Sequence, residues 1–156
     1  MGSDSDLPTM QSALAVLEKF GVAMEVKITS AHRTPAATHA YVKDADARGC
    51  KVFIAAAGLA AHLAGTMAGL TVKPVIGVPM DAGPLHGVDA LLSTVQMPGG
   101  IPVASMAIGK AGAVNAGYLA VQILALNDAN LAQKLLQDRE ANEKQIREKD
   151  ATAQKK

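Results

Sequence analysis

A histidine and an arginine stand side by side where a predicted strand gives way to a predicted helix. The stretch SAHRTP, from Ser30 to Pro35, follows an apolar run at 22–28 and precedes a helix that begins at Pro35. In open α/β sheets, ligands bind at the carboxyl ends of strands. An imidazole beside a permanent cation suits an anionic substrate that must exchange a proton. His32 and Arg33 are therefore candidate site residues, although both could be ordinary surface residues of a loop.

Two further loops carry polar groups that could share this site. The stretch GSDSD at 2–6 contains Ser3, Ser5 and Asp6 and precedes a predicted helix. Amides and hydroxyls at a helix N-terminus can bind an anion, most naturally phosphate. Asp6 would repel phosphate, so it would accept hydrogen bonds from ribose hydroxyls or cap the helix. His62 follows another apolar strand and is either part of the same cleft or a helix-start residue that orients a loop.

The composition excludes several classes of function. With a formal net charge of +1 and only 3% aromatic residues, the chain lacks the basic field and stacking surfaces of nucleic-acid binders. Cys50 is the only cysteine, so neither an internal disulfide nor a cysteine-based metal site is expected. No apolar run approaches the roughly 20 residues that span a bilayer. A reducing cytoplasm is the predicted compartment.

The elements that position these loops alternate between strands and helices. Apolar runs predict strands at 22–28, 51–57, 74–79 and 103–108, and helical periodicity predicts helices at 8–20, 35–48, 89–95, 109–126 and 129–150. This alternation predicts an α/β fold, with a parallel sheet between helices on both faces. We expect a single catalytic domain over 1–156, with a C-terminal helix at 129–150 and a frayed tail at 151–156.

Two helices favour self-association. The helix at 109–126 is apolar or small on nearly every side, and one sheet covers only one face of a helix. The rest of its surface is therefore expected to be buried by a second subunit. The C-terminal helix has one apolar stripe among mixed charges and is expected to pack on a neighbouring subunit.

Five motifs at matching spacing resemble one family. They are GSDSD at 2–6, SAHRTP at 30–35, AAHL at 60–63, GVP at 77–79 and VQMPGGIPV at 95–103. The chain resembles the bacterial type of the N5-carboxyaminoimidazole ribonucleotide mutases, over residues 2 to about 126. The resemblance implies a flavodoxin-like, three-layer α/β/α sandwich that assembles as an octamer. It implies movement of a carboxyl group from an exocyclic nitrogen to the ring carbon of an aminoimidazole ribonucleotide, without metal, ATP or organic cofactor.

The resemblance also assigns roles to residues. His32 matches the proton carrier of the family, and Ser3, Asp6 and Arg33 match substrate contacts. Ser5, Ser30 and His62 match motif positions near the bound nucleotide. The chemistry agrees, because the nitrogen must gain a proton when carbon dioxide leaves and the ring carbon must lose one after recapture. One imidazole can act as acid and then as base.

Three alternatives and one departure accompany this hypothesis. A sister enzyme on the same fold carboxylates aminoimidazole ribonucleotide with free carbon dioxide, although the QMPGG segment at 96–100 favours the mutase branch. A non-catalytic binder of sugar phosphates or nucleotides would not need His32, and flavin mononucleotide is disfavoured because aromatics are scarce. The family has a strand before its GSxSD loop. We therefore expect this chain to be a trimmed version of a longer natural protein.

Overall fold

A parallel three-stranded sheet lies between two layers of helices in the computed structural model, which describes residues 1–154. The strands, in spatial order, are β1 (Phe53–Ala57), β2 (Val75–Pro79) and β3 (Ala104–Ser105). The α-helices are α1 (Leu7–Phe20), α2 (Pro35–Ala47), α3 (Leu63–Ala68), α4 (Val88–Val95), α5 (Lys110–Ala125) and α6 (Ala129–Ala153), and a 3-10 turn covers Asp4–Asp6. The predicted α/β class is confirmed.

The sheet is regular at β1 and β2 and weak at β3. Phe53 pairs with Val75 and Ala57 with Pro79, so every residue of β1 has a partner in β2. Both strands are apolar along their whole length, as expected for strands covered on both faces. The predicted strand at 103–108 is wrong beyond two residues. After Ser105 the backbone contacts β2 only at intervals, through bonds such as the one from the Met106 amide to the Gly77 carbonyl at 2.8 Å.

Helices α1 and α5 cover one face of the sheet with small residues at their contact. An added Cβ at Gly117 of α5 would lie 2.9 Å from Cβ of Val16, so the two helix backbones approach closely. On the other face, Val42 of α2 and Met67 of α3 pack against Phe53. The scarcity of aromatic side chains is matched by this close approach of backbones.

Helix α5 is covered within its own chain. The helices α1 and α6 and the sheet all contact it, and Ala113, Ala116 and Val121 are fully or almost fully buried. The argument that its apolar surface requires a second subunit is therefore wrong, because it allowed for the sheet alone. Helix α6 packs on α5 near its start, where Asp138 accepts hydrogen bonds from Tyr118 and Lys19.

The C-terminal helix is longer than expected. Helix α6 continues to Ala153, so residues 151–153 are helical rather than frayed, and residues 155 and 156 of the predicted tail lie outside the described residues. From residue 139 to 154 every residue is exposed. Within residues 1–154, no helix is both long and apolar enough to cross a membrane.

The predicted strand at 22–28 is wrong, because no strand among residues 1–154 pairs with this extended segment. The α-amino group of Met1 donates to the Lys27 carbonyl at 2.8 Å, and the Thr29 amide donates to the Met1 carbonyl at 2.9 Å. On the other side, the Gly2 amide donates to the Ala56 carbonyl at 3.0 Å. Met1 and Gly2 thus connect segment 22–29 to β1 at one end only.

Candidate functional site

Three loops meet at the carboxyl end of β1. The first is the 3-10 turn at Asp4–Asp6 with the residues before it, the second precedes α2, and the third joins β1 to α3. These loops carry all seven residues that the sequence predicts for the site. Their positions follow from parallel strands and segments that all deliver their carboxyl ends to the same edge.

The two predicted histidines are in direct contact. Nε2 of His32 lies 2.8 Å from Nδ1 of His62, and the rings meet nearly edge to face, with centroids 4.9 Å apart and an interplanar angle of 83°. One of these two nitrogens must donate and the other must accept, so one N–H lies in the contact between the two rings. Both side chains are exposed, which leaves them open to a ligand. The arrangement can take up and return a proton.

The His32 loop is closed by bonds between its own residues. The Thr34 amide donates to the Ser30 carbonyl at 2.9 Å, and the Arg33 amide donates to Oγ of Ser30 at 3.1 Å. Oγ1 of Thr34 accepts from the Ser30 amide at 2.9 Å. Thr34 stands at the N-cap position of α2, but its hydroxyl serves this turn and makes no capping bond to the helix. Ser30 therefore fixes the path of the loop that presents His32.

Two buried threonines that the sequence analysis did not single out, Thr29 and Thr38, form hydrogen bonds on the interior side of this loop. Oγ1 of Thr29 lies 2.8 Å from Oγ1 of Thr38 and 3.3 Å from Oγ1 of Thr34. Thr29 and Thr38 are buried, so their hydroxyls satisfy each other in the interior. The available signal was that Thr29 and Thr34 flank the SAHR stretch, and that Thr38 follows Thr34 by four residues, about one helical turn.

Arg33 links the second loop to the first. Its Nη2 donates to the Gly2 carbonyl at 3.0 Å, immediately before Ser3. Among the ion pairs formed within residues 1–154, none includes Arg33. Its positive charge is therefore free to meet an anion, because a backbone carbonyl is a neutral acceptor.

The first loop forms a capping box around its 3-10 turn. Oγ of Ser3 accepts from the Ser5 amide at 3.3 Å, and Oγ of Ser5 donates to it at 2.9 Å. In return, the Ser3 amide donates to Oδ2 of Asp6 at 3.2 Å. Asp6 does not cap α1 by a side-chain bond. Its side chain is buried, and this burial raises the pKa of the Asp6 carboxyl.

Small residues and one strained leucine border His62. Leu59 has a φ of +57°, a left-handed conformation that is rare for leucine. Its side chain fills the space above Gly83, where an added Cβ would lie 2.4 Å from Cδ2 of Leu59. The loop at 58–61 thereby contacts the loop at 81–87. Within residues 1–154, no group of three or more His, Cys, Asp or Glu side chains could hold a metal ion.

Comparison with known proteins agrees with the five motifs. The AIR carboxylase family model matches residues 1–145. An N5-carboxyaminoimidazole ribonucleotide mutase of Synechocystis is 56% identical over 151 residues, which are 97% of this chain and 85% of that protein. The mutase of Bacillus subtilis is 53% identical over 148 residues, covering 95% of this chain and 91% of that protein.

Solved structures show the same fold. The crystal structure of PurE from Treponema denticola matches with a TM-score of 0.89 and 29% identity, over 97% of this chain and 94% of that one. Together with the parallel sheet and its flanking helices, this match confirms the predicted flavodoxin-like α/β fold. The resemblance inferred from the motifs is also confirmed. The chain belongs to the AIR carboxylase family.

Proposed function

We propose that the protein is an N5-carboxyaminoimidazole ribonucleotide mutase of purine biosynthesis, converting its substrate to 4-carboxyaminoimidazole ribonucleotide. The observation that carries this proposal is the 2.8 Å contact between His32 and His62 at the carboxyl end of the sheet, beside the unpaired charge of Arg33. The names of the relatives from Synechocystis and Bacillus subtilis support the same reaction.

His32 is the proposed proton carrier. The bond between the exocyclic nitrogen and the carboxyl carbon breaks, carbon dioxide leaves, and the nitrogen receives a proton from the His32 imidazolium. The ring carbon then forms a bond to the carbon dioxide and gives its own proton back to the His32 imidazole. The carboxyl group has moved, the proton count is unchanged, and the histidine returns to its starting state.

The neighbouring residues have proposed binding roles. Arg33 would hold the phosphate by charge-assisted hydrogen bonds, with the hydroxyls of Ser3 and Ser5 beside it. Asp6 would accept from the ribose hydroxyls. His62, through its contact with His32, would orient that ring, and Ser30 would keep its loop in place.

Containment of carbon dioxide favours transfer within one active site. The loop at 58–61 consists of Gly, Leu and two Ala, and Leu59 packs on the loop at 81–87. Small apolar walls can close around so small a molecule and exclude water. Recapture then becomes effectively intramolecular, which raises the local concentration of carbon dioxide enormously.

A product assay without ATP tests the proposed reaction. One sample receives the carbamate nucleotide, and a second receives aminoimidazole ribonucleotide with bicarbonate. Fast conversion in the first sample and slow conversion in the second would support the mutase. The reverse result would identify a carboxylase that uses free carbon dioxide. No conversion in either sample, together with tight nucleotide binding, would identify a non-catalytic binder.

We further propose that the protein self-associates, as the resemblance to an octameric family implies, and acts in the cytoplasm on its metabolic nucleotide. Half-exposed apolar side chains on and before α4, Leu85, Val88, Leu92 and Val95, supply a candidate contact. The exposed distal part of α6 is the proposed docking helix for a neighbour. Light scattering after size exclusion would give the subunit number. A monomeric mass at micromolar concentration would contradict this proposal.

A further inference from the structure

Two buried hydroxyls lie on the interior side of the loop that carries His32. Thr38, the fourth residue of α2, is 0% exposed, and Thr29, at the end of segment 22–29, is 6% exposed. Their Oγ1 atoms lie 2.8 Å apart. Oγ1 of Thr29 also lies 3.3 Å from Oγ1 of Thr34, the residue before α2. Three threonine hydroxyls therefore form a continuous chain from the interior of the protein to the loop at 30–34.

The hydrogens of this hydroxyl chain can be placed so that each hydroxyl has a partner. A threonine hydroxyl carries one hydrogen and can also accept. Oγ1 of Thr38 donates to the Thr34 carbonyl, one helical turn before it, at 3.1 Å. Thr29 then donates to Thr38 at 2.8 Å, and Thr34 donates to the Ser30 carbonyl at 3.2 Å. Thr38 is thus the acceptor that fixes the direction of the Thr29 hydroxyl.

Thr34 connects the hydroxyl chain to the backbone on both sides of His32. Its Oγ1 accepts from the Ser30 amide at 2.9 Å, and its own amide donates to the Ser30 carbonyl at 2.9 Å. The loop is thereby closed at 30 and 34, and His32 stands midway between them. In the chain described up to residue 154, the His32 ring has one hydrogen-bond partner, Nδ1 of His62 at 2.8 Å. The position of the His32 ring against His62 therefore depends on how this turn is held.

Loss of the Thr38 hydroxyl would change the bonds at Thr34. The buried Thr29 hydroxyl would lose its partner at 2.8 Å, and a buried donor without a partner is unfavourable. Its other partner among residues 1–154 is Oγ1 of Thr34 at 3.3 Å, which already accepts from the Ser30 amide. Thr29 would then compete for that oxygen, and the turn that presents His32 would move.

We propose that Thr38 is a positioning residue for the proton transfer and acts on His32 through Thr29 and Thr34. This inference rests on the proposed role of His32 as the proton carrier. The carrier must reach the exocyclic nitrogen and then the ring carbon, so a small displacement of its ring slows both steps. The Arg33 side chain is anchored separately, on the Gly2 carbonyl at 3.0 Å. The effect of Thr38 should therefore fall on kcat and leave KM nearly unchanged.

Two substitutions at position 38 separate the hydroxyl from the rest of the side chain. Thr38→Val replaces the hydroxyl with a methyl group, and Thr38→Ser keeps the hydroxyl but removes the methyl group. We expect Thr38→Val to lower kcat for the carbamate nucleotide about tenfold, with KM within about threefold of the wild-type value. Thr38→Ser should keep kcat within about threefold, although it loses buried apolar surface. Equal kcat values in the two variants would overturn the proposal.

Thr94 provides a matched control in another helix. It is 2% exposed, and its hydroxyl donates to the Ala90 carbonyl, one turn earlier in α4, at 2.7 Å. Among residues 1–154 this is its only side-chain hydrogen bond, so Thr94→Val should leave kcat within about twofold of wild type. A fall in kcat as large as that of Thr38→Val would overturn the proposal, because loss of any buried hydroxyl would then suffice.

A double variant tests the path through Thr29. Thr29→Val removes the hydroxyl that Thr38→Val leaves without its partner, and replacing both partners by apolar groups avoids that penalty. Addition of Thr29→Val to Thr38→Val should therefore raise kcat at least about threefold above that of Thr38→Val alone. Independent roles would instead multiply the two losses. A double variant slower than Thr38→Val would overturn the proposal.

Imidazole resonances measure the position of His32 without turnover. In ¹H–¹⁵N spectra, Thr38→Val should shift the ring resonances of His32 and His62 and leave those of His86 unchanged, and Thr94→Val should shift none of them. A wild-type protein that does not convert the carbamate nucleotide would contradict the proposed reaction, whereas shifted His32 resonances would still support its positioning by Thr38. Unshifted His32 resonances in Thr38→Val would overturn the positioning role, whatever the reaction.

Discussion

The two edges of β1 differ in how completely they are paired. Towards β2, each of its five residues has a partner, and β2 is buried along its whole length. Towards segment 22–29, the only backbone bond from β1 in the described chain runs to Gly2, and a cavity of about 450 Å³ with mainly apolar lining residues lies between them. The same strand therefore has a fully paired side and a largely unpaired side. The difference shows that the site loops meet at the carboxyl end of β1 without a continuous ladder between β1 and segment 22–29.

The two histidines of the site follow two different backbone segments. His62 follows β1 itself, whereas His32 follows the segment that lacks a neighbouring strand. Local bonds among Ser30, Arg33 and Thr34, and the bond from Arg33 to Gly2, replace the missing ladder at the loop. Hydrogen bonds within and between the loops thus hold the two histidines together at a place where no strand pairing joins their segments.

The largest expected effect concerns His32, which follows segment 22–29 on the unpaired side of β1. His32→Asn should lower kcat at least about a thousandfold, because it removes the proposed proton carrier. Nucleotide affinity should stay within about tenfold, because no charged contact to phosphate is lost. Steady-state kinetics and equilibrium binding measure the two quantities. His39→Asn, on the exposed side of α2, is the control, and full activity in the His32 variant would refute its assignment.

A pair of isoleucines measures the difference between the two sides directly. Ile76 of β2 is 0% exposed and Ile28 of segment 22–29 is 49% exposed. Ile76→Ala should lower the free energy of unfolding by about 3 kcal/mol through lost burial and a cavity, and Ile28→Ala by less than about 1 kcal/mol. Denaturant titration of both variants gives the values. Similar losses would mean that segment 22–29 is packed as tightly as the sheet.

Arg33→Ala tests the link across the unpaired side of β1. Loss of a charge-assisted phosphate contact should raise KM about thirtyfold with a smaller change in kcat. The bond to the Gly2 carbonyl is also lost, so a fall in unfolding free energy of about 1 kcal/mol is expected. Arg33→Lys should recover part of the affinity, because it keeps the charge without the planar fork. An unchanged KM in Arg33→Ala would remove this residue from the binding site.

The smallest expected effect concerns pH and Asp6. Burial raises the pKa of its carboxyl above the ordinary value of 3.8, so the folded state favours the protonated form. The stability from this group is complete below 3.8 and is lost as pH rises through the raised pKa. In Asp6→Asn that loss should disappear, and the amide oxygen can still accept from Ser3. Thermal unfolding of both proteins across acidic pH would show parallel curves if the carboxyl were unperturbed.

Sequence reasoning succeeded where a short pattern determines local structure. Gly21 ends α1 with a φ of +72°, and Pro35 occupies the start of α2, as glycine and proline dictate. The strand positions at β1 and β2 followed from continuous apolar runs. The loops that hold His32 and His62 were located by their place after a strand or an extended segment, and the structure then brought the two rings into contact.

The failures arose where structure depends on a neighbour that the pattern does not specify. Segment 22–28 alternates like a strand, but a ladder requires a second chain segment beside it. Helix α5 looked unaccompanied, because its contacts with α1 join residues far apart in the sequence and because no pattern specifies that α6 folds back onto it. Asp6 was interpreted as either a ribose contact or a helix cap, and Thr34 stands at the N-cap position of α2, yet tighter local turns use the oxygens of both. Capping preference states what a side chain can accept, and the loop decides which amide it meets.

The anchoring of α6 at Asp138 has a consequence for proteolysis. Trypsin needs a locally unfolded stretch, and the part of α6 after this residue has no buried side chain to prevent fraying. Cleavage should therefore begin after Arg139, Lys144 and Arg147, while Lys134, whose ammonium donates to the Phe20 carbonyl, is protected. A trimmed core that ends near residue 139 would accumulate early in digestion, with the sheet and all three site loops intact.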